Sequence, residues 1–338
     1  MSPSTTPPTV DIPIVDISSF ISGSPLEARQ RTARQLAESG SVNGYLGISG
    51  HGLSSQSLEE VFQVTKKLFD LPYEEKMKAP HPDSPVPHRG YSGTGREKVA
   101  RKTALEASEA EQKDEYSKTT DFKESFDIGS GENAVQYNIW LPEDAFPGFR
   151  RITTRIFWEL HETAQALLDA LIMSLNLPQE EAESVRALHT GHENQLRLLH
   201  YPPVKDAGQE FSRLGSHTDW SLFTLLFQDT HGGLEFLDRK TNVFIPAVPR
   251  DGILYMNIGD MFQRISNGFY PSAFHRVVAH QGDAAARYSI PYFVAPEPDG
   301  IIQPQPSRVA ADGEQHYDPV TFIDYSMKML ETINVYDG

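Results

Sequence analysis

The chain has 338 residues, of which 38% are hydrophobic and 22% charged, a composition typical of globular proteins and not of disordered or fibrous ones. Asp and Glu number 46 against 30 Lys and Arg, and the formal net charge of −16 disfavours nucleic acid and anionic membranes as partners. The sequence contains no cysteine, which excludes disulfides, thiolate metal sites and a cysteine nucleophile, so any metal must be bound by His, Asp or Glu.

The first residues predict a flexible tail. Residues 1–11 are rich in Ser, Thr and Pro, and they carry neither the positive charge nor the apolar run of a secretory signal. No stretch of about 18 consecutive apolar residues occurs in the chain, so a membrane segment is not predicted. We therefore expect a cytoplasmic protein.

Residues 12–190 predict a region of mixed helices and strands. Segments 12–16 and 44–48 read as strands, and proline within the first suits a strand at a sheet edge. Apolar residues recur at helical spacing elsewhere in this region. Helices are predicted over 25–39, 58–69 and 152–175. Residues 79–120, rich in Pro, Gly and charge, predict a long loop, either a lid that orders over a substrate or a solvated connection.

From residue 195 onward the chain consists of short apolar runs separated by Gly, Pro, Asn and Asp. The runs are 195–201, 217–228, 234–237, 243–247, 253–258, 274–279 and 287–294. Seven runs at near-regular spacing predict a β-sandwich or barrel of the jelly-roll kind. The expected fold class is mainly β with flanking helices. We expect the core at 191–300 and a C-terminal segment at 301–338, whose helix over 320–334 packs on it.

Two histidines and a carboxylate on one face of a metal form the facial triad of non-haem Fe(II) oxygenases, which directs attention to His-x-Asp. The pattern occurs three times, at 81–83, 217–219 and 316–318. Only the second match stands beside a strongly β-prone run, at 220–227. Because residues two apart on a strand share a face, His217 and Asp219 are predicted to point together into the barrel.

A third ligand is expected from a distant strand, and His275 and His280 compete for that role. The two have opposite strand parity, and the flanking apolar residues do not choose between them. The next predicted strand favours His275, because Arg287 and Ser289 place a cation and a hydroxyl on one face. Inside an apolar barrel these two groups would bind a carboxylate, and an unpaired buried arginine itself argues for an anionic ligand.

With these residues the sequence resembles the iron- and 2-oxoglutarate-dependent dioxygenases, specifically the group related to isopenicillin N synthase. Further segments carry the resemblance, in the family's order from residue 12 to about residue 296. They are IPIVD at 12–16, GYLGISGHG at 44–52, LPYEEK at 71–76, LRLLHYPP at 196–203, GGLE at 232–235, NIGD at 257–260 and SNG at 266–268. The resemblance implies a double-stranded β-helix core, a mixed α/β N-terminal region and a C-terminal helix over the barrel mouth.

The resemblance also implies the cofactors and the residues that bind them. Fe(II), 2-oxoglutarate and O2 are expected, with the chemistry carried by the iron and not by a catalytic side chain. The implied iron ligands are His217, Asp219 and His275, and the implied binding residues for the far carboxylate of 2-oxoglutarate are Arg287, Ser289 and Tyr201. One departure is Leu199, which stands where many members have Asn, so a hydrogen bond to the cosubstrate is missing or supplied elsewhere.

The expected activity is hydroxylation, desaturation or cyclisation of a small organic molecule, in specialised (secondary) metabolite biosynthesis, with release of succinate and CO2. Asp219 favours these reactions over halogenation, because halogenases of the family usually have a small residue there. Two alternatives remain open. One is an oxidase of the same fold that does not use 2-oxoglutarate, since isopenicillin N synthase holds a substrate carboxylate with the same Arg-x-Ser pair. The other is a non-catalytic jelly-roll binding module.

The substrate wall is the least defined part of the site, and the oligomeric state is open. Strand parity favours Phe293, which shares a face with Arg287 and Ser289, and Arg197, which shares one with Tyr201. Arg197 could meet an acidic or phenolic substrate, or form a salt bridge. The full set of candidates for contact with a small-molecule substrate is Phe293, Arg197, Phe223, Tyr91, Phe126 and Trp220.

Overall fold

The computed structural model of the chain describes residues 11–84, 86–96, 122–203, 211–279 and 285–333. Several expectations fall wholly or partly outside these residues. They concern the flexible tail, of which only Asp11 is described, the charged part of the predicted lid at 97–120, His280 as the competing ligand, and the end of the C-terminal segment at 334–338.

The helices and strands predicted from the sequence are present in the predicted order, together with others that were not predicted. The helices are α1 (Ser18–Ile21), α2 (Leu26–Asn43), α3 (Ser55–Phe69), α4 (Tyr73–Lys76), α5 (Phe149–Ser174), α6 (Gln179–Ala187), α7 (Asp260–Ile265), α8 (Pro306–Asp312) and α9 (Phe322–Ile333). The strands are β1 (Ile14–Asp16), β2 (Tyr45–Ser49), β3 (Gly90–Ser92), β4 (Glu124–Ile128), β5 (Gln195–Tyr201), β6 (Phe211–His217), β7 (Phe223–Gln228), β8 (Leu234–Asp238), β9 (Val243–Pro246), β10 (Leu254–Ile258), β11 (His275–Ala279), β12 (Arg287–Val294), β13 (Ile301–Ile302) and β14 (Val320–Thr321).

Two sheets form the barrel. The larger has the order β1-β2-β10-β7-β12-β5-β4-β3, and the smaller has the order β6-β11-β8-β9. The strands β5 to β12 are thus divided between two sheets, and apart from β8 and β9 the neighbouring strands among them are not consecutive in sequence, the arrangement of a jelly roll. The predicted fold class, a mainly β jelly-roll core with flanking helices, is confirmed.

The larger sheet is buried on both faces. Leu198 and Leu225 point to the side covered by helices α2, α3 and α5, where the main hydrophobic cluster lies. Leu199 and Leu226, one residue further along their strands, point to the smaller sheet and pack in a second cluster that includes Phe236. This second face is the barrel interior. It determines which side chains can meet a ligand, because alternate residues of a strand point to opposite faces.

The N-terminal region shares the larger sheet with the barrel. Strands β1 and β2 extend it at one edge, and β3 and β4 extend it at the other. Strand β3 lies inside the segment that was predicted to be a loop, where the hydroxyl of Tyr91 donates a hydrogen bond to the buried carboxylate of Glu124. Within the described ranges, every helix is too short or too polar to cross a membrane.

One strand boundary differs from the prediction. His217 is the last residue of β6 and does not begin the strand at 217–228, because residues 218–222 form a connection before β7 begins at Phe223. The prediction that His217 and Asp219 lie two apart on one strand is therefore wrong. Their side chains nevertheless converge, because the chain turns directly after His217.

Candidate active site

The predicted metal-binding side chains meet inside the barrel. His217 and His275 are partners across the β6–β11 pair, with ring centroids 4.2 Å apart. Oδ1 of Asp219 lies 3.7 Å from Nε2 of His217 and 3.8 Å from Nε2 of His275. The three candidate ligand atoms all lie within 4.8 Å of one another. One ion could contact all three.

Both histidines present the nitrogen that a metal needs. Nδ1 of His217 lies 2.8 Å from the carbonyl oxygen of Gly215, and Nδ1 of His275 lies 3.1 Å from that of Ala273. Because a carbonyl only accepts, each Nδ1 carries the proton and each Nε2 keeps its lone pair. Burial of the ring, with a smaller effect of His275, lowers the pKa of His217 below its usual value. The imidazole is therefore neutral at pH 7.

Two further side chains orient Asp219. Its Oδ2 accepts hydrogen bonds from Oγ1 of Thr224 at 2.6 Å and from Nδ2 of Asn257 at 2.7 Å, which leaves Oδ1 facing the histidines. Burial alone would raise the pKa of Asp219, but the adjacent histidines and these two hydrogen bonds hold it below its usual value. Sequence reasoning assigned no role to Thr224 or Asn257. The sequence did contain a signal for Asn257, because it is the one amide in the otherwise apolar strand β10 and a buried polar group needs a hydrogen-bond partner.

This donor set fits Fe(II). Two neutral imidazoles and one carboxylate approach from one side, as in non-haem iron oxygenases, and each ligand is fixed by a hydrogen bond through its other polar atom.

The candidate cosubstrate site centres on Arg287, which is fully buried. Its Nη1 donates to Oγ of Ser289 at 3.1 Å, its Nη2 to Oε1 of Gln228 at 3.2 Å, and its Nε to the carbonyl oxygen of Gly232. All these acceptors are neutral. Among the described residues no carboxylate forms an ion pair with Arg287, so a buried positive charge is left for an anionic ligand to balance.

Tyr201 and Leu199 lie on the same interior face of β5. The guanidinium of Arg287 stands 4.8 Å over the ring of Tyr201, and the two residues are partners in the β5–β12 pair. The Tyr201 hydroxyl makes no hydrogen bond with another described residue. Leu199 is buried opposite Ser289, and its aliphatic side chain offers no hydrogen bond to a ligand.

Three predicted substrate residues are connected with the candidate site by strand register, by contact or by chain position. Phe293 pairs in register with Thr224, the residue that binds Asp219, so its strand position adjoins the candidate metal site. Arg197 lies 5.9 Å from the centroid of the Phe293 ring. It also forms the salt bridge that the sequence left open, with Nε 2.6 Å from Oδ1 of the buried Asp127. Trp220 is half-buried in the connection directly after Asp219.

Three other predicted substrate residues lie on the wrong face of the larger sheet. Tyr91, Phe126 and Phe223 are buried in the cluster on the helix side. The ring of Phe126 packs edge-on against Phe149 of α5, 5.1 Å away between centroids. The prediction that these three line the substrate pocket is wrong. Its physical reason is that both faces of this sheet are apolar, so an aromatic side chain does not indicate which face it occupies.

Two family models match the sequence. The model of the 2OG-Fe(II) oxygenase superfamily matches residues 192–296, and the model described as non-haem dioxygenase in morphine synthesis N-terminal matches residues 12–143.

Curated relatives match nearly the whole chain. The 2-oxoglutarate-dependent dioxygenase frbA of Dothideomycetidae sp. (strain 11243) is 33% identical, over 96% of this chain and 98% of the relative. The 2-oxoglutarate-dependent dioxygenase htyE of Aspergillus rugulosus is 36% identical, over 94% and 98%. The proline hydroxylase buaE of Petromyces alliaceus is 32% identical, over 95% and 99%.

Among solved structures, a full-length Neurospora crassa protein in complex with alpha-KG and thymine superimposes with a TM-score of 0.81 at 31% identity, covering 98% of this chain and 99% of that one. The family models, the curated relatives and the solved structure thus indicate the same family, and the match covers nearly the full length of these relatives. The chain belongs to the 2OG-Fe(II) oxygenase superfamily and is a dioxygenase that uses Fe(II), 2-oxoglutarate and O2.

Proposed function

We propose that His217, Asp219 and His275 hold the Fe(II) ion. The observation that carries this proposal is the approach of two unprotonated Nε2 atoms and one carboxylate oxygen to within 4.8 Å of one another. The other polar atom of each ligand is hydrogen-bonded to the protein, so the three ligand atoms are held in place before the metal arrives.

We further propose that Arg287, Ser289 and Tyr201 bind the far carboxylate of 2-oxoglutarate. The guanidinium supplies the charge that a buried carboxylate needs, and its planar N–H groups fix the orientation of that carboxylate. The Tyr201 hydroxyl is available as a further donor. Because Leu199 cannot donate, these residues carry the recognition of the cosubstrate without the amide that the family resemblance leads us to expect at that position.

The proposed reaction is hydroxylation, desaturation or cyclisation of a small organic molecule in specialised metabolism. Iron and 2-oxoglutarate, when bound, supply the oxidising chemistry with O2 and yield succinate and CO2, while the protein excludes water and orients the substrate. Asp219 supplies a carboxylate where halogenases of the family usually have a small residue, so halogenation is not proposed. The names of a relative, a proline hydroxylase, and of a thymine-bound neighbour support a small-molecule substrate.

The proposed substrate contacts are Phe293, Trp220 and Arg197. Phe293 offers an apolar surface beside Thr224, next to the proposed metal site. Arg197 is already neutralised by Asp127, so it places polar N–H groups near the substrate without demanding a negative charge from it. This favours a substrate with both an apolar part and a hydrogen-bond acceptor over a strongly anionic one.

The test is turnover with a library of small metabolites, in the presence of Fe(II), 2-oxoglutarate and O2. Succinate is quantified, and the product mass distinguishes the gain of an oxygen atom from the loss of two hydrogens. We expect succinate and product in equal amounts, and we expect Phe293→Ala to raise KM for the substrate while leaving KM for 2-oxoglutarate unchanged. Product formed without succinate would contradict the proposed reaction. Equal effects of Phe293→Ala on both KM values would contradict the proposed substrate contact.

A further inference from the structure

A buried carboxylate outside the candidate ligand set joins the segments that carry those ligands. Asp260, the first residue of α7, is 6% exposed. Its Oδ1 accepts a hydrogen bond from Oγ of Ser272 at 2.7 Å. Its Oδ2 accepts one from the hydroxyl of Tyr325 at 2.7 Å and a longer one from Oγ1 of Thr218 at 3.4 Å. Three parts of the chain that are distant in sequence therefore meet at one side chain.

Two of these parts carry the proposed metal ligands. Thr218 stands between His217 and Asp219, and the backbone N–H of Asp260 also donates to the carbonyl oxygen of Asp219 at 2.8 Å. Ser272 precedes His275 by three residues at the entrance to β11. The carboxylate of Asp260 thus connects the segment of the first two ligands to the segment of the third.

The backbone just before Asp260 is tightly packed against the connection between β6 and β7. A Cβ atom on Gly259 would lie 2.1 Å from the carbonyl oxygen of Ser221 and 3.1 Å from that of Asp219. Such close packing allows α7 to press directly against the connection between β6 and β7. A shift of Asp260 would therefore be transmitted to Asp219, since packed backbone atoms cannot absorb it.

The third part is the C-terminal helix α9, through Tyr325. Burial, followed by the nearby charge of Asp260, raises the pKa of Tyr325, so its hydroxyl stays protonated and can act only as a donor towards the carboxylate. The guanidinium of Arg264 lies 5.7 Å from the centroid of the Tyr325 ring and holds that face of the helix against α7.

We propose that Asp260 is a positioning residue, which holds the two ligand-bearing segments at the separation that the metal requires, and that Tyr325 of the C-terminal helix completes this arrangement. The inference rests on the proposed metal site and deepens it. It assigns the C-terminal helix a part in metal binding, although no residue of that helix belongs to the candidate ligand set.

Two variants separate this role from general stability. Asp260→Asn keeps the size of the side chain but replaces one acceptor oxygen by a donor, so it cannot accept from both Ser272 and Tyr325. Tyr325→Phe removes only the hydroxyl. The matched control is Tyr317→Phe, because the Tyr317 ring also packs against Arg264, but its hydroxyl makes no hydrogen bond with the described residues.

The experiment titrates the full-length protein with Mn(II), followed by electron paramagnetic resonance, and records the visible spectrum of the Co(II)-substituted protein. We expect the Kd for Mn(II) to rise about 10-fold or more in Asp260→Asn, as for other residues that orient metal ligands, and by a smaller factor in Tyr325→Phe, which removes a single hydrogen bond to Asp260. The Co(II) bands, which report ligand geometry, should shift in both variants. Tyr317→Phe should match the wild type in both measurements.

The proposal would be overturned if Asp260→Asn and Tyr325→Phe bound Mn(II) with the wild-type Kd and gave the wild-type Co(II) spectrum, even if their melting temperatures fell. If Asp260→Asn does not fold, Tyr325→Phe decides alone. Failure of the wild-type protein to bind Mn(II) would instead overturn the proposed metal site, so the two failures are distinguishable.

Discussion

Replacement of Arg287 by methionine should strongly weaken 2-oxoglutarate binding while barely changing the stability of the protein without cosubstrate. Methionine is unbranched and apolar, so it can occupy much of the buried space of the arginine stem. The two effects separate because the guanidinium has only neutral partners among the described residues, namely Ser289, Gln228 and the carbonyl of Gly232. If Arg287 belonged to a structural ion pair, its replacement would strongly destabilise the protein even without cosubstrate.

The magnitudes follow from these contacts. Loss of three hydrogen bonds donated by the charged guanidinium, at about 1.5 kcal/mol each, is opposed by relief of the cost of several kcal/mol for burying an ion without a counter-charge. The free energy of unfolding without cosubstrate should therefore change by less than about 2 kcal/mol. Loss of two charge-assisted hydrogen bonds to the ligand, each about 1.5–3 kcal/mol, should raise the Kd for 2-oxoglutarate by about 10² to 10⁴.

The assay combines urea denaturation of the protein without cosubstrate with anaerobic calorimetric titration of 2-oxoglutarate into the Fe(II)-loaded protein. Arg276→Met is the control, because Arg276 points to the outer face of β11 and pairs with Glu235. The control should bind 2-oxoglutarate as the wild type does. Wild-type affinity in Arg287→Met would refute the assignment of the cosubstrate site, and destabilisation by more than about 3 kcal/mol would refute the claim that its charge is unbalanced.

Three further predictions concern other parts of the molecule. Asn257→Ala leaves Oδ2 of Asp219 with one donor, so Mn(II) affinity should fall about 10-fold in a titration, and an unchanged affinity would contradict the orienting role. Burial lowers the pKa of His189 to about 4, so the unfolded chain takes up the proton first as pH falls, and about 3 kcal/mol of stability should be lost between pH 6.5 and pH 4. Denaturation across this range should show a shallower loss in His189→Gln, and an identical loss would refute the attribution. Tyr91→Phe removes a hydrogen-bond donor from the buried carboxylate of Glu124, so the free energy of unfolding should fall by about 1–3 kcal/mol while the KM values stay unchanged. A raised KM for the substrate with unchanged stability would instead show that Tyr91 contacts the substrate.

The strands of the barrel were largely predictable from the sequence. The bounds of β5 and β12 agree with the apolar runs at 195–201 and 287–294, because Gly, Pro, Asn and Asp interrupt the chain on either side. Strand β6 was missed except for its last residue. Its segment Phe211–His217 is mainly polar and small, and it forms a strand because it pairs with β11, a non-local contact that no local pattern reveals.

Side-chain orientation was predictable only where a polar marker accompanied the strand. On β12, Arg287 and Ser289 mark the interior face, and Phe293 follows by parity. On β7 no such marker was recognised, and Phe223 was assigned to the interior although Thr224 occupies that face. When both faces of a strand are buried, hydrophobicity alone carries no information about orientation.

The most direct test of the central claim is the visible spectrum of the anaerobic protein loaded with Fe(II) and 2-oxoglutarate. A metal-to-ligand charge-transfer band arises only when the cosubstrate is bound to the iron. We expect this band in the wild type, its loss in His217→Ala, and its recovery in Arg287→Met only at a far higher 2-oxoglutarate concentration. Bound iron without a band in the wild type, or an undiminished band in His217→Ala, would contradict the proposed site.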